Sequence, residues 1–425
     1  SAAGAAGSVT EPPAFSTAAT AALEAPLTLM SSFGQTFFIS IFAGEIRDAF
    51  SLSHGQWGGI YMLGTTLSAV LMVWAGGLTD LFRVRVLGPV VLVGLALACL
   101  AMAANGWGWA LPLVILALRL FGQGMCTHTA VVAMARWFVA RRGRALSIAA
   151  LGFALGEAVL PILFVGLKSV IDWRWLWVAG AAICLGAVPL LAWLLSKERT
   201  PQYEAQRNGA AVGMDGAHWT RRGALGHPLF WIMVPALLGP PAFNTALFFH
   251  QAHLAEVKGW EHIQFVSFFP LYTLMSIGAM LASGWALDRW GSARLMPFFH
   301  LPMVAAFLVF AVADKPAALG VAFFFMALTS GSMQTLPNAF WAEFYGTAHI
   351  GSIKALAAAV MVLGSAIGPG LTGLLIDLGL GIELQFFGIA GYFVLTTALM
   401  LFGIGRTRHR LPPPAEAAEA ATVTR

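Results

Sequence analysis

Long apolar runs, separated by short polar breaks, make up most of the 425-residue chain. Each run has about 20 residues or more, enough for an α-helix to cross a hydrocarbon core of about 30 Å. The runs are continuous rather than alternating in polarity, so they are not strands of a transmembrane β-barrel. The pattern predicts an all-α membrane protein with twelve transmembrane helices, near 24–48, 56–80, 86–105, 109–138, 144–168, 173–196, 228–257, 263–288, 294–313, 317–345, 351–377 and 382–405.

Composition agrees with this prediction. Hydrophobic residues make up 59% of the chain and charged residues 10%, with a mean hydropathy of +0.78, whereas a soluble domain carries about 25% charged residues. The net charge of +5 is spread over short loops, so it does not form the basic patch that a nucleic acid would require. We therefore expect the lipid bilayer, and no nucleic acid, as the surroundings of this chain.

The distribution of Lys and Arg among the loops predicts the orientation. One alternate set of breaks holds most of them, including Arg141, Arg142 and Arg144. The opposite set holds only Arg47, Lys168, Arg174, Lys258 and Lys315. Because cytoplasmic loops carry the excess of Lys and Arg, both termini and the central polar segment are predicted to be cytoplasmic.

One long polar segment, residues 197–227, divides the predicted helices into two sets of six. We therefore predict two six-helix bundles, 24–196 and 228–406, joined by a cytoplasmic linker. The stretch 1–23 is rich in Ala, Gly, Ser and Pro and lacks Lys and Arg, so it is expected to be a disordered tail. Residues 407–425 are expected to form a cytoplasmic tail.

The two predicted bundles repeat one another in sequence. A shift of 208 positions lays Gly76 on Gly284 and Asp80 on Asp288. Parallel six-helix repeats are an arrangement in which transporters bind substrate near the bilayer midplane, between the two halves.

The loop motifs carry a resemblance to a known family. The break between helices 2 and 3 has Gly76, Leu78, Asp80 and Arg85, and Arg119, Gln123 and Gly124 form a second motif in helix 4. The copy in the second half has Gly284, Asp288, Arg289, Gly291 and Arg294. Over residues 24–406 the chain resembles the major facilitator superfamily. The segment RWFVARRGRALSI (136–148) is similar to the branch that contains monocarboxylate and oxalate–formate porters.

The resemblance implies a set of functional residues. Helices 1, 4, 7 and 10 line the substrate cavity in this family, so the implied substrate contacts are Gln35, Arg119, Gln123, Asn244, His250, Gln334 and Asn338. The implied gating residues are Asp80, Arg85, Asp288, Arg289 and Arg294. Each of the polar side chains could equally be an interhelical hydrogen bond, worth about 0.6 kcal/mol.

Arg119 and Glu157 fall near the middle of two consecutive apolar helices. An ionised side chain at the bilayer centre costs at least about 2.5–3.5 kcal/mol, so it usually faces a cavity or the interior of the bundle. Three interpretations remain open: a fixed ion pair, an anion site and proton carrier that rearrange during transport, or two residues that never meet. The half-repeat places Ala327 and Ser365 at the matching positions, which favours a functional role.

These observations predict a secondary transporter of a small organic anion, with a monocarboxylate as the expected case, in the cell inner membrane. Proton coupling would run through Glu157, with His250 as a second candidate because histidine changes charge near neutral pH; His250 could also be a hydrogen-bonded wall residue. The alternatives are a proton-coupled exporter of drugs or amphiphiles and a transporter-like receptor. No enzyme, cofactor or metal-site pattern is present, the three cysteines are isolated, and we expect a monomer.

Overall fold

The structure, a computed structural model, describes residues 25–75, 78, 82–130, 142–195, 212–346 and 349–411. Each predicted helix has a counterpart in these ranges. In the first half the helices are α1 (Pro26–Gly34 and Thr36–Phe50), α2 (His54–Ala75), α3 (Val84–Ala104), α4 (Gly108–Ala130), α5 (Arg142–Leu167) and α6 (Trp173–Leu195). In the second half they are α7 (Pro228–Phe249 and Gln251–Val257), α8 (His262–Leu287), α9 (Ser292–Val312), α10 (Ala318–Tyr345), α11 (Ile350–Asp377) and α12 (Ile382–Thr407).

The twelve-helix membrane fold predicted from the sequence is confirmed. Within the described ranges, nine helices are long and apolar enough to cross a membrane, and α1 makes ten if its two bent parts form one span. The remaining two, α2 and α5, have 22 and 26 residues. No β-strand occurs in the part of the chain that the structure describes.

Two faces of the bundle are distinguished by the loops they carry. We call the face where α1 begins and α12 ends the terminal face. The opposite face carries the α1–α2, α5–α6, α7–α8 and α11–α12 loops. Thus α4 and α10 run toward the terminal face, and their later residues lie nearer to it.

The halves meet closely toward the opposite face. Helix α2 packs along α11, and α5 packs along α8. A Cβ atom added to Gly58 would lie 2.6 Å from the carbonyl oxygen of Pro369. Only glycine permits this approach, so the sequence itself allows the two halves to close on that side.

Several helices are irregular at membrane depth. In α1, Gln35 has an extended backbone (φ −87°, ψ 154°), and the two parts of the helix are bent by 51°. Helix α7 is interrupted at His250, and α10 is interrupted before a new helical segment, Leu336–Tyr345. In α4, Arg119–Cys126 form a π-helix. Such backbone needs partners for its freed polar groups, and in membrane proteins it lies inside protein or along a cavity.

The described part of the linker is docked on the second half. It contains a 3₁₀ turn, Met214–Gly216, and a short helix, Arg221–Gly226. The backbone N–H of Trp219 donates to the Tyr345 carbonyl at 3.3 Å. Arg410, just beyond α12, donates from Nε to both carboxylate oxygens of Asp215 at 3.0 and 3.1 Å. These contacts attach the linker to the terminal face of the second bundle.

The predicted boundaries differ from the observed ones by a few residues. Helix α5 begins at Arg142, inside the basic segment that the sequence predicted as a turn before residue 144. The predicted ends of helices 2 and 4, at residues 80 and 138, lie outside the described residues.

Candidate functional site

The site is built around a close crossing of α1 and α4. A Cβ atom added to Gly122 would lie 2.5 Å from the Cα of Gly34 and 2.8 Å from its nitrogen. The same atom added to Gly34 would lie 2.6 Å from the Gly122 Cα. Two glycines therefore bring the break in α1 against the π-helical part of α4, where Arg119 lies.

Arg119 is buried at this crossing, with 1% of its surface exposed. Its Nη1 donates to the carbonyl oxygen of Gly34 at 3.2 Å and to Thr36 Oγ1 at 3.3 Å. The guanidinium also lies over the Tyr61 ring, 5.3 Å from the ring centroid. The Gly34 carbonyl is available as an acceptor because α1 is interrupted at Gln35, so the irregular backbone and the cation stabilise each other.

The described partners of this cation, Gly34, Thr36 and Tyr61, are neutral. The ion pairs among the described residues do not include Arg119, and its buried Nε has no hydrogen-bond partner there. A buried charge is costly unless an opposite charge and hydrogen bonds compensate it. In the described part of the chain, the charge of Arg119 is compensated by hydrogen bonds to neutral groups alone.

Thr36 and Tyr61 extend the hydrogen-bonded group. Their hydroxyl oxygens are 2.5 Å apart, and Tyr61 is fully buried. A Thr36 oxygen that accepts from Arg119 can donate its own proton to Tyr61, so helices α1, α2 and α4 are joined by one chain of polar contacts.

Glu157 lies on α5 and faces the other half of the molecule. Its Oε2 accepts a hydrogen bond from Thr273 Oγ1 of α8 at 2.9 Å. The carboxyl group is thus placed at the contact between the two halves, where a change in its charge would act directly on how they pack.

Arg119 and Glu157 do not pair in this conformation. Within the part of the chain that the structure describes, no ion pair joins them, and each has the neutral partners given above. Of the three interpretations left open by the sequence, a permanent pair that pins α4 to α5 is not what the structure shows.

The other predicted substrate contacts on α1 and α4 flank the crossing. Gln35 is mostly buried at the break, with 9% of its surface exposed. Gln123 directly follows Gly122 in the π-helical segment, and its side chain is exposed. Since α4 runs toward the terminal face, Gln123 extends the polar surface from Arg119 in that direction.

The predicted contacts on α7 and α10 are of two kinds. Asn244 Nδ2 donates to Ser330 Oγ at 3.1 Å, which links α7 to α10. Gln334 and Asn338 are exposed, at and beyond the interruption of α10, and Asn338 Nδ2 donates to the Gln334 carbonyl at 2.8 Å. These exposed amides, at the interruption and in the second part of α10, provide a polar surface toward the terminal face.

His250 lies apart from these residues, at the interruption of α7 near the opposite face. It is buried, and its Nε2 is 3.0 Å from the Pro369 carbonyl oxygen. Because a carbonyl only accepts, Nε2 carries the proton in this contact. The imidazole therefore fastens α7 to α11 rather than facing the exposed amides of α10.

The predicted gating residues lie at the terminal face or outside the described residues. Asp80 and the side chain of Asp288 fall outside them. Arg85 and Arg294 are exposed, at the start of α3 and of α9. Arg289 is exposed and lies 5.9 Å from the Trp285 ring centroid.

One further carboxylate on this face is fully engaged. Glu343 of α10 accepts from the Ser292 hydroxyl at 2.6 Å and from the Ser292 backbone N–H at 3.1 Å. It therefore caps the start of α9, and it ties the end of α10 to the loop that carries Arg289 and Arg294.

The described residues contain no group of three or more His, Cys, Asp or Glu side chains that could hold a metal ion. The three cysteines are buried and reduced.

Sequence reasoning missed three residues that the structure brings to the charged groups: Thr36, Tyr61 and Thr273. Thr36 follows Gln35 and could have been included with it. Tyr61 and Thr273 carry no such signal, because a hydroxyl in an apolar helix indicates a contact only when the neighbouring helix is known.

The sequence matches one protein family and two curated transporters. The sequence profile of the Major Facilitator Superfamily matches residues 25–356. Among curated proteins, monocarboxylate transporter 13 of Bos taurus is 27% identical over 315 residues, which cover 72% of this chain and 71% of that protein. Monocarboxylate transporter 13 of Rattus norvegicus is 26% identical over the same shares of each chain.

Solved structures share the fold at low sequence identity. A bacterial homologue of the human lysosomal transporter Spinster, in its inward-facing and unoccupied conformation, superposes with a TM-score of 0.71 at 15% identity and covers 94% of this chain and 100% of its own. The nucleoside transporter NupG superposes with a TM-score of 0.68 at 12% identity and covers 92% and 99%. At these identities the likeness concerns the fold alone.

Proposed function

Since the chain belongs to the major facilitator superfamily, we propose that it is a secondary active transporter that moves a small organic anion by alternating access. A monocarboxylate is the expected substrate. The relatives named monocarboxylate transporter 13 support this substrate class, and the low charge of the surrounding helices favours a small, singly charged molecule.

The observation that carries the proposal is the state of Arg119. It is a buried cation with neutral partners at a helix break. A carboxylate that replaces the Gly34 carbonyl or Thr36 as its partner would add the missing opposite charge and could accept two parallel N–H···O bonds from the guanidinium. The exposed Gln123 next to it supplies an amide toward the space through which such a ligand would arrive.

We propose that Glu157 carries the coupled proton. Its carboxyl group accepts from Thr273 across the contact between α5 and α8. Protonation would remove a charge from this contact, and deprotonation would restore it, so proton binding would alter the packing of the two halves. This role fits a group that lies between the halves and is not neutralised by Arg119.

The exposed Gln123, Gln334 and Asn338 lie toward the terminal face, whereas the halves are closed toward the opposite one. We infer that the substrate path opens at the terminal face and that this face is cytoplasmic. We further propose that the protein lies in the cell inner membrane as a monomer. The proposed gating residues are Asp80, Arg85, Asp288, Arg289 and Arg294, and the proposed second-half contacts are Asn244, Gln334 and Asn338.

The proposal is tested by uptake into proteoliposomes with an imposed pH gradient. A panel of labelled monocarboxylates, dicarboxylates and cationic amphiphiles identifies the class that is transported. Arg119→Gln should abolish uptake of the anion, while Arg221→Gln, which changes an exposed arginine of the linker helix, should leave it intact.

The melting temperature of each variant shows whether it is folded. Full anion uptake by a folded Arg119→Gln protein would refute the assignment of Arg119. Transport restricted to cationic or neutral amphiphiles would favour an exporter instead.

A further inference from the structure

Toward the opposite face, the first turn of α2 is held against the end of α11. Ser53 Oγ and the Gly55 backbone N–H both donate to Asp377 Oδ2, at 2.6 and 2.8 Å. A Cβ atom added to Gly373 would collide with the carbonyl oxygen of His54. The two halves of the protein are therefore locked together at this point by close backbone packing and one carboxylate.

A pair of histidines from opposite halves lies beside this lock. The ring centroids of His54, on α2, and His253, on the second part of α7, are 4.1 Å apart, with the ring planes tilted by 57°. Both side chains are partly exposed, and the Nδ1 of His253 is buried without a partner among the described residues. The ring centroid of His250 lies 5.9 Å from that of His54, and His250 is hydrogen-bonded to the Pro369 carbonyl.

The pair borders a cavity of about 60 Å³ whose lining includes both halves of the protein. Besides the three histidines, its charged lining residues are Arg47 of α1 and Glu256 of α7. The remaining charged group near the pair is Asp377 of α11, whose Oδ2 is already occupied by Ser53 and Gly55. Water in this cavity would give protons a route to the imidazoles.

The charge state of the two rings decides whether this contact attracts or repels. Neutral imidazoles pack at 4.1 Å as ordinary aromatic neighbours. Two imidazolium ions at that separation repel each other, and Arg47 adds a third positive charge. Glu256 and Asp377 offer two negative charges in return, one fewer than the three positive ones.

We propose that His54 and His253 form a pH-operated lock on the opposite face of the transporter. The lock holds while the rings are neutral and releases when both are protonated, because the charged rings are then more stable apart. In the orientation proposed above this is the outer face, so acid outside the cell would open the path to that side. The lock concerns the conformational equilibrium and does not depend on which substrate is carried.

The expected response follows from proton linkage. An exposed histidine titrates near pH 6.5, so the open conformation gains protons, and the lock weakens, as the pH falls below about 6.5. Each proton that the open conformation binds and the closed one does not raises the open-to-closed ratio by up to tenfold per pH unit. Two such protons give a steep response over a narrow range.

The lock is tested by spin-label distance measurements without substrate. Val170, after α5, and Leu378, after α11, lie at this face on opposite halves, with 79% and 73% of their surfaces exposed. With cysteines and spin labels at these two positions, the longer-distance population should rise at least tenfold from pH 8 to pH 5.5. His54→Gln and His253→Gln should each remove most of this rise.

Two further variants complete the design. His218→Gln changes an exposed histidine of the linker and should respond to pH as the unaltered protein does. His253→Lys places a charge at the pair at every pH and should give the longer distance already at pH 8. Identical distance distributions at pH 8 and pH 5.5 would overturn the proposal. So would a full pH response in a His54→Gln/His253→Gln double variant, which would attribute the effect to another group such as Glu157.

Discussion

The crossing of α1 and α4 gives the sharpest structural prediction. In Gly122→Ala, the new Cβ would lie 2.5 Å from the Gly34 Cα, whereas ordinary contact begins near 3.4 Å. The two helices must therefore separate by about 1 Å, because the atoms that the new Cβ meets belong to the backbone and no side chain can rotate away. Overpacking of this kind costs about 1–3 kcal/mol, and the close backbone contact places it near the upper end.

The helix propensity of alanine partly offsets this cost. Alanine is favoured over glycine inside a helix by about 1 kcal/mol, so the net loss in unfolding free energy should be about 2 kcal/mol. The matched control is Gly186→Ala in α6, where an added Cβ meets nothing within 4 Å. That variant should be as stable as the unaltered protein or gain up to about 1 kcal/mol.

Both variants are measured by unfolding in mixed detergent micelles, followed by anion uptake. Separation of the helices would also pull the Gly34 carbonyl away from Arg119, so the Gly122→Ala protein that remains folded should transport poorly. Equal stability of the Gly122→Ala and Gly186→Ala proteins would show that α1 and α4 do not cross as closely as described.

Three further changes test the surroundings of the site. Tyr61→Phe removes a buried hydroxyl from the Arg119 group, so stability should fall by about 1 kcal/mol and uptake should weaken while its pH optimum stays unchanged. Glu157→Gln cannot release a proton, so uptake driven by a pH gradient should disappear while exchange of labelled for unlabelled anion persists. Asp215→Asn breaks the contact with Arg410, which holds the pKa of Asp215 below its ordinary value; its destabilisation should be present at pH 7 and vanish as the pH falls through that lowered pKa.

For each of these three variants, one result would contradict the prediction. Normal stability of Tyr61→Phe would mean that the hydroxyl contact contributes nothing. Gradient-driven uptake by Glu157→Gln would assign the coupled proton to another group. A difference between Asp215→Asn and the unaltered protein that does not shrink as the pH falls from 7 toward the lowered pKa of Asp215 and below it would show that the charge of the aspartate is not the cause.

The sequence predicted the helices well because each is a long apolar run with a basic or polar break. It also placed Arg119 and Glu157 at membrane depth. It did not predict the interruption at Gln35 or the π-helix from Arg119. Both lie where Gly34 and Gly122 approach each other, a tertiary contact that no local propensity encodes.

The periodicity of the sequence could not predict which side chains contact each other between helices. A stripe of residues shows which side chains share a face, but not which helix that face meets. For this reason the sequence could not decide whether Arg119 and Glu157 form an ion pair. In the structure, Glu157 instead accepts a hydrogen bond from Thr273 in the other half. His250 of α7 was a candidate from the sequence, yet His253 and His54 became relevant only when the fold brought α2 beside α7.

The central claim is that Arg119 binds the carboxylate of the substrate, and isothermal titration calorimetry tests it most directly. A transported monocarboxylate should bind the Arg119→Gln protein about 10- to 100-fold more weakly than the unaltered protein, since a hydrogen bond to a charged group contributes about 1.5–3 kcal/mol. The neutral amide of the same molecule should bind both proteins alike. Equal affinity of the carboxylate for the two proteins would contradict the account.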